Sequence, residues 1–328
     1  MKRREFITLV GGAAASWPLS ARAQQDGRVR RIGILMGAAN DSVGQARART
    51  FEQALSLLGW GIGRNVRIDY RWGARDNPDQ ARAYAVELVA MVPDVILTAG
   101  SQNSQAVAKE TRNIPIIFVE VSDPMSSGLV SSMAHPGRNL TGFANFEFSI
   151  GSKWLEILRE VAPGIKRVLV LQGLDIGNQG FLRAIVGAAQ SVGVAPVAAP
   201  VRDAADIERV ITTFAQKPDG GLIVLPGSSR LDNRDLIVAL ATRYRLPAMY
   251  STRPFIASGG LMSYDTDLNE LWRQAAGYAD RVLRGEKPGD LPVQVPTKYE
   301  LVISLKVARA FGLTVPLPLL ARADEVIE

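Results

Sequence analysis

The stretch Asp94-Val95-Ile96-Leu97-Thr98-Ala99-Gly100-Ser101 decides the fold. Behind Asp94 lies a run that is apolar on both faces, the pattern of a strand buried inside a parallel sheet. Gly100 closes the run, and Ser101 opens a helix that the sequence carries to residue 111. A strand that turns into a helix within two residues is the repeating piece of a wound α/β fold.

The same piece recurs on both sides. Upstream, Arg31-Ile32-Gly33-Ile34-Leu35-Met36 is a short apolar run ending in Gly37-Ala38-Ala39-Asn40. Asp41 then caps a helix through residue 58, with Phe51, Ala54, Leu55 and Leu58 at helical spacing and Gly59 as its stop. Residues 66–72 alternate as a strand, residues 77–91 form a helix with one stripe (Ala81, Tyr84, Ala85, Leu88, Val89), and residues 114–119 form another strand. The rhythm breaks at Pro136-Gly137-Arg138-Asn139 and restarts after an extended piece at 140–144. Helices are expected at 150–161, 177–192, 204–216 and 233–244, with strands at 167–171, 194–198, 221–225 and 248–251. The tail adds a strand at 259–264, a helix at 268–283, a break at Pro288-Gly289-Asp290-Leu291-Pro292 and an extended piece at 293–295.

These runs imply an α/β protein of two doubly wound parallel-sheet lobes, alike in pattern but without a residue-level repeat. A third strand–helix unit too small to stand alone must join one lobe. The expected division is residues 29–142 plus 259–292 for lobe I and 143–258 plus 293–328 for lobe II. The chain then crosses near Gly142, Gly259 and Pro292, giving a three-segment hinge and a clamshell.

Composition narrows the chemistry. Among 328 residues, 47% are hydrophobic and 21% charged, ordinary for a globular chain with a large core. The net charge is +6, but Lys2, Arg3, Arg4 and Arg22 against Glu5 supply half of it, which leaves the rest too weakly basic for a nucleic-acid footprint. There is no cysteine and one histidine, His135, which rules out disulfides, thiolate nucleophiles, Cys-rich metal sites and any two-histidine metal site. No metal or cofactor is expected. G-x-S-x-G, G-x-x-x-x-G-K-[ST] and H-E-x-x-H are all missing from the sequence. Gly59-Trp60-Gly61-Ile62-Gly63 precedes a strand instead of following one, so it is no dinucleotide loop.

The first 23 residues read as an address. A basic start with adjacent arginines leads to an apolar stretch, Ile7 to Leu19, and then to Ala21-Arg22-Ala23, a small-x-small cleavage pattern. Thirteen residues at about 1.5 Å each cannot span a core about 30 Å thick. The expected reading is a twin-arginine-like signal peptide cleaved near Gln24. Without a cysteine for lipidation the mature chain diffuses freely, which places it in a periplasm with no stable membrane insertion.

Ligands of open parallel sheets sit beyond the carboxyl ends of the strands. Those ends carry Asn40, Ser101, Gln102, Glu120, Ser122 and Asp123 in the first lobe, and Gln172, Ser228, Tyr250 and Arg253 in the second. Asn145 and Asp265 follow two of the crossings. The junctions Gly100-Ser101 and Pro226-Gly227-Ser228 offer N–H groups and a positive helix end to a carboxylate, or else are plain helix starts. Glu120, Asp123 and Asp265 suit an ammonium group, although Asp123 before Pro124 also starts turns. Tyr250 reads either as a ligand contact or as a core-edge residue, and Arg253 as an anion clamp or an ion-pair partner.

Several segments resemble the ABC-transporter substrate-binding protein family that includes the tryptophan/tyrosine-type binding proteins, a branch of the type I periplasmic binding fold. They are Arg31-Ile-Gly-Ile-Leu35, Val66-Arg-Ile-Asp-Tyr-Arg-Trp72, Asp123-Pro124 with Gly128-Leu-Val130, Pro136-Gly-Arg-Asn-Leu-Thr-Gly142, Gly259-Gly-Leu-Met-Ser-Tyr264, and the C-terminal run from Tyr299-Glu-Leu-Val-Ile-Ser-Leu-Lys306 to Glu328. The resemblance covers essentially the whole mature chain. It implies capture of a small solute and delivery to a permease, with ligand contacts at Ser101, Gln102, Glu120 to Asp123, Gln172, Ser228, Tyr250 and Asp265. Ser251 stands where the family often has an acid, and Asp265 where a glycine is usual. The expected partners are a small-molecule ligand, an amino acid or an aromatic or aliphatic carboxylate, and an ABC permease, with a monomeric chain and no nucleic acid. Two other readings remain open at this stage: an exported α/β enzyme using Asp123, Asp265 or Glu120, and a ligand-sensing partner of a membrane receptor.

Overall fold

The computed structural model describes residues 28–74, 77–173 and 177–328, so the signal-peptide segment lies outside the described residues. The chain divides into two compact units. The first comprises the described residues up to Phe118, with Pro136–Gly142 and Trp272–Leu291; the second comprises Val119–His135, Phe143–Leu271 and Pro292–Glu328.

A five-stranded sheet runs in the order β2-β1-β3-β4-β5. Its strands are β1 (Arg30–Leu35), β2 (Val66–Arg71), β3 (Val95–Ala99), β4 (Ile116–Val121) and β5 (Leu140–Ala144). β1 is parallel to β2 and to β3, with Ile32 opposite Val95 and Leu35 opposite Thr98. Helices α1 (Ser42–Leu57), α2 (Pro78–Ala90) and α3 (Ser101–Glu110) follow the first three strands. Ile32, Ile34, Leu35, Ile96 and Leu97 are fully or almost fully buried, as a sheet covered on both sides requires.

The second sheet has seven strands in the order β12-β11-β10-β9-β8-β6-β7. These are β6 (Arg167–Gln172), β7 (Ala195–Pro200), β8 (Gly220–Val224), β9 (Ala248–Tyr250), β10 (Met262–Thr266), β11 (Tyr299–Ser304) and β12 (Glu325–Ile327). One face is covered by α4 (Ile150–Val161) and α5 (Gly177–Val192), whose Trp154 and Phe181 join Val170, Ile223 and Met249 in one core. Trp154 and Phe181 have ring centroids 5.3 Å apart, and Phe146 meets Phe181 edge-on at 5.5 Å. Such aromatic pairs are worth about 0.5–1.5 kcal/mol beyond their burial. The other face packs on α6 (Ala204–Ala215) and α8 (Arg234–Arg243), which follows the short α7 (Ser228–Asp232).

Taken by order of appearance, β6 to β10 repeat the arrangement of β1 to β5, namely second, first, third, fourth, fifth. Both units are therefore doubly wound, and the second is extended by β11, antiparallel to β10, and by β12. The sequence reading assigns no element to residues 299–328, and these strands are its main omission.

The tail strand also changes place. Residues 259–292 were expected in lobe I, but β10 is bonded between β9 and β11 in the second sheet, and the division falls between Leu271 and Trp272. Only the short helix α9 (Pro254–Ala257) separates β9 from β10, and so brief a connection favours neighbouring strands. The last helix of this segment, α10 (Leu268–Leu283), spans that division: Trp272 packs edge-on against Phe51 at 6.3 Å, and Asp280 accepts from Trp60 Nε1 at 2.8 Å. Val119–His135 likewise groups with the second unit, not with lobe I.

Candidate functional site

In each sheet the strand order reverses once, between β1 and β3 and between β6 and β8, and open α/β sheets bind ligands at this switch point beyond the strand ends. In the first unit the switch point carries the loop 37–40 and the Gly100-Ser101 junction. Gly100 is the residue before α3, with φ +91° and ψ 153°, a region open essentially to glycine alone. Helices α1 and α2 are closed by side chains: Asp41 accepts from Val43 N and Gly44 N at 3.0 and 2.9 Å, and Asn77 accepts from Gln80 N at 3.0 Å. No side chain caps α3. Instead its first turn bonds backwards onto the strand, Asn103 Nδ2 donating to Ala99 O at 2.9 Å and Ser104 Oγ to Gly100 O at 2.8 Å. Thr98 and Ser104 share a buried hydroxyl contact of 2.9 Å. The result is a rigid junction whose N–H groups and positive dipole end suit an anion.

Ser101 is half-buried at the first position of this helix, and Gln102 Nε2 donates to Ala74 O at 3.2 Å. Asn103, which the sequence reading passed over, is 1% exposed, and its Oδ1 accepts no hydrogen bond. Asn40 is exposed and accepts from Gln45 Nε2, which ties it to α1.

Glu120, the last but one residue of β4, is in a left-handed conformation, φ +56°, uncommon for a residue with a Cβ. Ser122 and Asp123 follow, both half-buried. Asp123 Oδ1 accepts from Ser126 N at 2.9 Å while its carbonyl accepts from Ser127 N at 3.0 Å, so this residue takes the turn-starter role.

In the second unit, Gln172 ends β6 with its side chain 5% exposed and Oε1 without a hydrogen bond. Beside it lies a buried polar knot. Asn178 Oδ1 accepts from Gly173 N at 3.0 Å and from Arg230 Nη2 at 3.1 Å, and Asn178 Nδ2 donates to Pro226 O at 3.3 Å. Arg230 Nε donates to Leu225 O at 2.8 Å and Nη2 to Pro226 O. A guanidinium only 2% exposed carries a desolvation cost of several kcal/mol, offset only when its donors are met. Ser228 opens α7 behind Gly227, which has φ +154° and no side-chain cap.

The remaining candidates sort by chemistry. Tyr250 is 1% exposed and stacks on Phe255 at 4.7 Å and 12°, inside the core beneath α8; burial raises its phenol pKa, so it stays neutral. It takes the core alternative. Arg253 pairs with Glu325 and, at 3.9 Å, with Glu300, the ion-pair alternative to a clamp. Asp265 accepts from Arg253 N at 3.1 Å and Thr266 N at 2.7 Å, so both oxygens hold backbone. Asn145 donates its N–H to Val121 O at 3.1 Å, and its carbonyl accepts from Thr266 Oγ1 at 2.5 Å; its side-chain Oδ1 has no hydrogen bond. Ser251 Oγ and Thr252 Oγ1, after β9, are also buried without partners. Among the described residues at these strand ends, the buried side-chain oxygens without a hydrogen bond on Gln172, Asn145, Ser251 and Thr252 are those of neutral amides and hydroxyls.

Sequence reasoning missed Asn178, Arg230 and Asn103. The one available signal was their position, each within three residues of a strand-to-helix junction or helix start. Among the described residues, no cluster of three His, Asp or Glu side chains could hold a metal ion, and no helix is long and apolar enough to cross a membrane.

Two doubly wound α/β units of like strand order, each with a polar switch point, define the solute-binding class of the type I periplasmic binding fold. The chain belongs to the ABC transporter substrate binding protein family, whose sequence profile matches residues 31–327. A tyrosine-binding protein of Clostridioides difficile (strain R20291) is 25% identical over 329 residues, covering 95% of this chain and 94% of that protein. A conserved domain protein from Vibrio cholerae has a solved structure with TM-score 0.78 and 26% identity, covering 91% of this chain and all of that one (100%). The ABC domain from Streptococcus pneumonia solved in complex with L-Trp has TM-score 0.79 and 23% identity, covering 91% and 99%. The family is one of solute-binding proteins, so this chain binds a small molecule and is not an enzyme.

Proposed function

We propose that the protein is the exported solute-binding component of an ABC importer and that its solute is an amino acid or a related carboxylate. The observation that carries this reading is the α3 junction: a helix start without a side-chain cap at the switch point of the first sheet, a seat for a carboxylate. The relatives that bind tyrosine and L-Trp support the amino-acid class. The basic start, apolar stretch and Ala21-Arg22-Ala23 support export and a free periplasmic form that delivers to a permease.

A micromolar solute corresponds to about −8 kcal/mol. A carboxylate accepting two or three charge-assisted hydrogen bonds, plus buried apolar contact, reaches this after the cost of ordering. Arg253 and Asp265 already hold protein partners, so neutral groups such as Gln172, Asn145 and Ser251 supply the remaining hydrogen bonds.

The test is mass spectrometry of the small molecule released from gently purified protein, paired with a thermal-shift screen of L-tyrosine, L-tryptophan and simple aromatic and aliphatic carboxylates. An amino acid or carboxylate in the released fraction, and stabilisation by the same compound, is the expected result. A released molecule with no carboxylate would discard the α3 seat.

A further inference from the structure

We infer that Arg230 and Asn178 form a positioning pair that sets the two loops of the second unit's switch point, and through them the solutes this protein accepts. The inference rests on the reading of those loops as solute contacts.

The geometry is specific to two loops. Gly173 follows β6 and Pro226-Gly227 follows β8, so they are the two strand ends that flank the reversal of strand order. Asn178, 4% exposed, sits in the first turn of α5 and receives the Gly173 N–H at 3.0 Å. Its other end donates to Pro226 O at 3.3 Å. Arg230 reaches Asn178 Oδ1 at 3.1 Å and also binds the carbonyls of Leu225 and Pro226. One amide and one guanidinium therefore lock both loops to one helix. The planar fork of arginine is needed for this, because a lysine ammonium has no second nitrogen to span Leu225 O and Asn178 together.

Gly227 records the same arrangement in the sequence. A Cβ built there would lie 1.8 Å from Arg230 Nη2 and 2.6 Å from its Cζ, so the guanidinium fills the space that any side chain at 227 would need. Gln172, whose Oε1 has no hydrogen bond, is the residue before Gly173. Holding Gly173 therefore also fixes where the backbone of Gln172 stands toward a solute. Neither Arg230 nor Asn178 is proposed to touch the solute; they act through residues 172–173 and 226–228.

The experiment uses the full chain in two variants, Arg230→Lys and Asn178→Ala, the second being the milder in case a buried lysine impairs folding. Hydrogen–deuterium exchange without solute should show the amides of residues 173, 227 and 228 exchanging at least tenfold faster in both variants, with β8 and β9 unchanged. Titration with L-tyrosine and with L-tryptophan should show each dissociation constant at least tenfold weaker and the ratio between the two probes shifted at least threefold. A uniform rise in exchange across the second sheet, or unchanged exchange at residue 173, would overturn the inference. So would loosened loops with an unchanged probe ratio. If the wild-type chain binds neither probe, the amino-acid reading fails, and the exchange measurement alone then decides whether the pair positions the loops.

Discussion

The junctions Gly100-Ser101 and Gly227-Ser228 occupy the same station in two sheets of the same order, yet they are built to different ends. Each follows the third strand of its unit, each places a glycine of positive φ before the helix, and neither helix is capped by a side chain. At Gly100 a Cβ would meet nothing within 4 Å, so glycine is there for its backbone conformation alone. At Gly227 a Cβ would collide with Arg230, so glycine is there for space as well. α3 continues for ten residues with an open first turn, whereas α7 stops after five and its start is stapled by a buried arginine. Identical dipeptides at equivalent positions thus give an open helix start, the proposed carboxylate seat, in one unit and a locked loop in the other.

The largest effect that would break or sharpen this contrast comes from alanine at the two glycines. Both Gly100→Ala and Gly227→Ala incur about 1–3 kcal/mol for the backbone region. Gly227→Ala adds overpacking of about 1–3 kcal/mol against the guanidinium. Urea unfolding of the empty protein should place Gly227→Ala about 2 kcal/mol below Gly100→Ala. Equal losses would mean that Arg230 does not fill that space.

Next comes Ser101→Pro. Proline is tolerated at the first helical position, where its missing N–H would be unpaired in any case. The substitution removes one backbone donor and one hydroxyl from the seat and leaves α3 in place. Calorimetric titration with the solute found in the released fraction should weaken about tenfold or more, as loss of a charge-assisted hydrogen bond does. Unfolding of the empty protein should shift by less than about 1 kcal/mol. Undiminished affinity would move the carboxylate seat elsewhere.

The smallest effect lies at the antiparallel β10–β11 pair, which the first sheet lacks. Burial raises the Asp267 pKa, but the hydrogen bonds from Lys298 Nζ, at 3.0 Å, and from the backbone of Glu270 and Asn269 outweigh it, so the carboxyl is held below its ordinary value. A depressed folded-state pKa contributes stability that is present above the unfolded value, near 4, and is lost as pH falls through the folded one. Asp267→Asn, which still caps the helix, should lower the melting temperature by about 1 °C at pH 7. The two proteins should converge as pH falls through the folded-state pKa of Asp267 and below it. A difference that persisted in acid would show that the ion pair is not its source.

Much of the fold was legible because wound α/β chains write their period openly. The helices at 150–161, 177–192 and 268–283 and the strand at 140–144 fall where the apolar spacing put them. Asp41, Asn77 and the Gly100 junction could be read from capping and glycine chemistry alone. The edge elements were not legible. β11 carries a short apolar run that does not say which sheet it joins, and β10 was expected in lobe I. The site was read only to the level of its strand ends. Asp123, Tyr250, Arg253 and Asp265 each have chemistry that serves a ligand or the protein equally, and the fold gave all four a protein partner.

Composition, periodicity and the strand-to-helix junctions by themselves determined two wound α/β units and a chain without thiol or histidine-pair metal chemistry. Those properties are local: they depend on residues within a few turns of one another. Which glycine is open and which is filled, which amide binds which carbonyl across 48 residues, and which sheet takes the tail strand were decided only in the tertiary structure. The reason is physical. Hydrogen bonds and packing between distant segments follow from how elements dock, and a one-dimensional pattern specifies the faces that dock without specifying their partners.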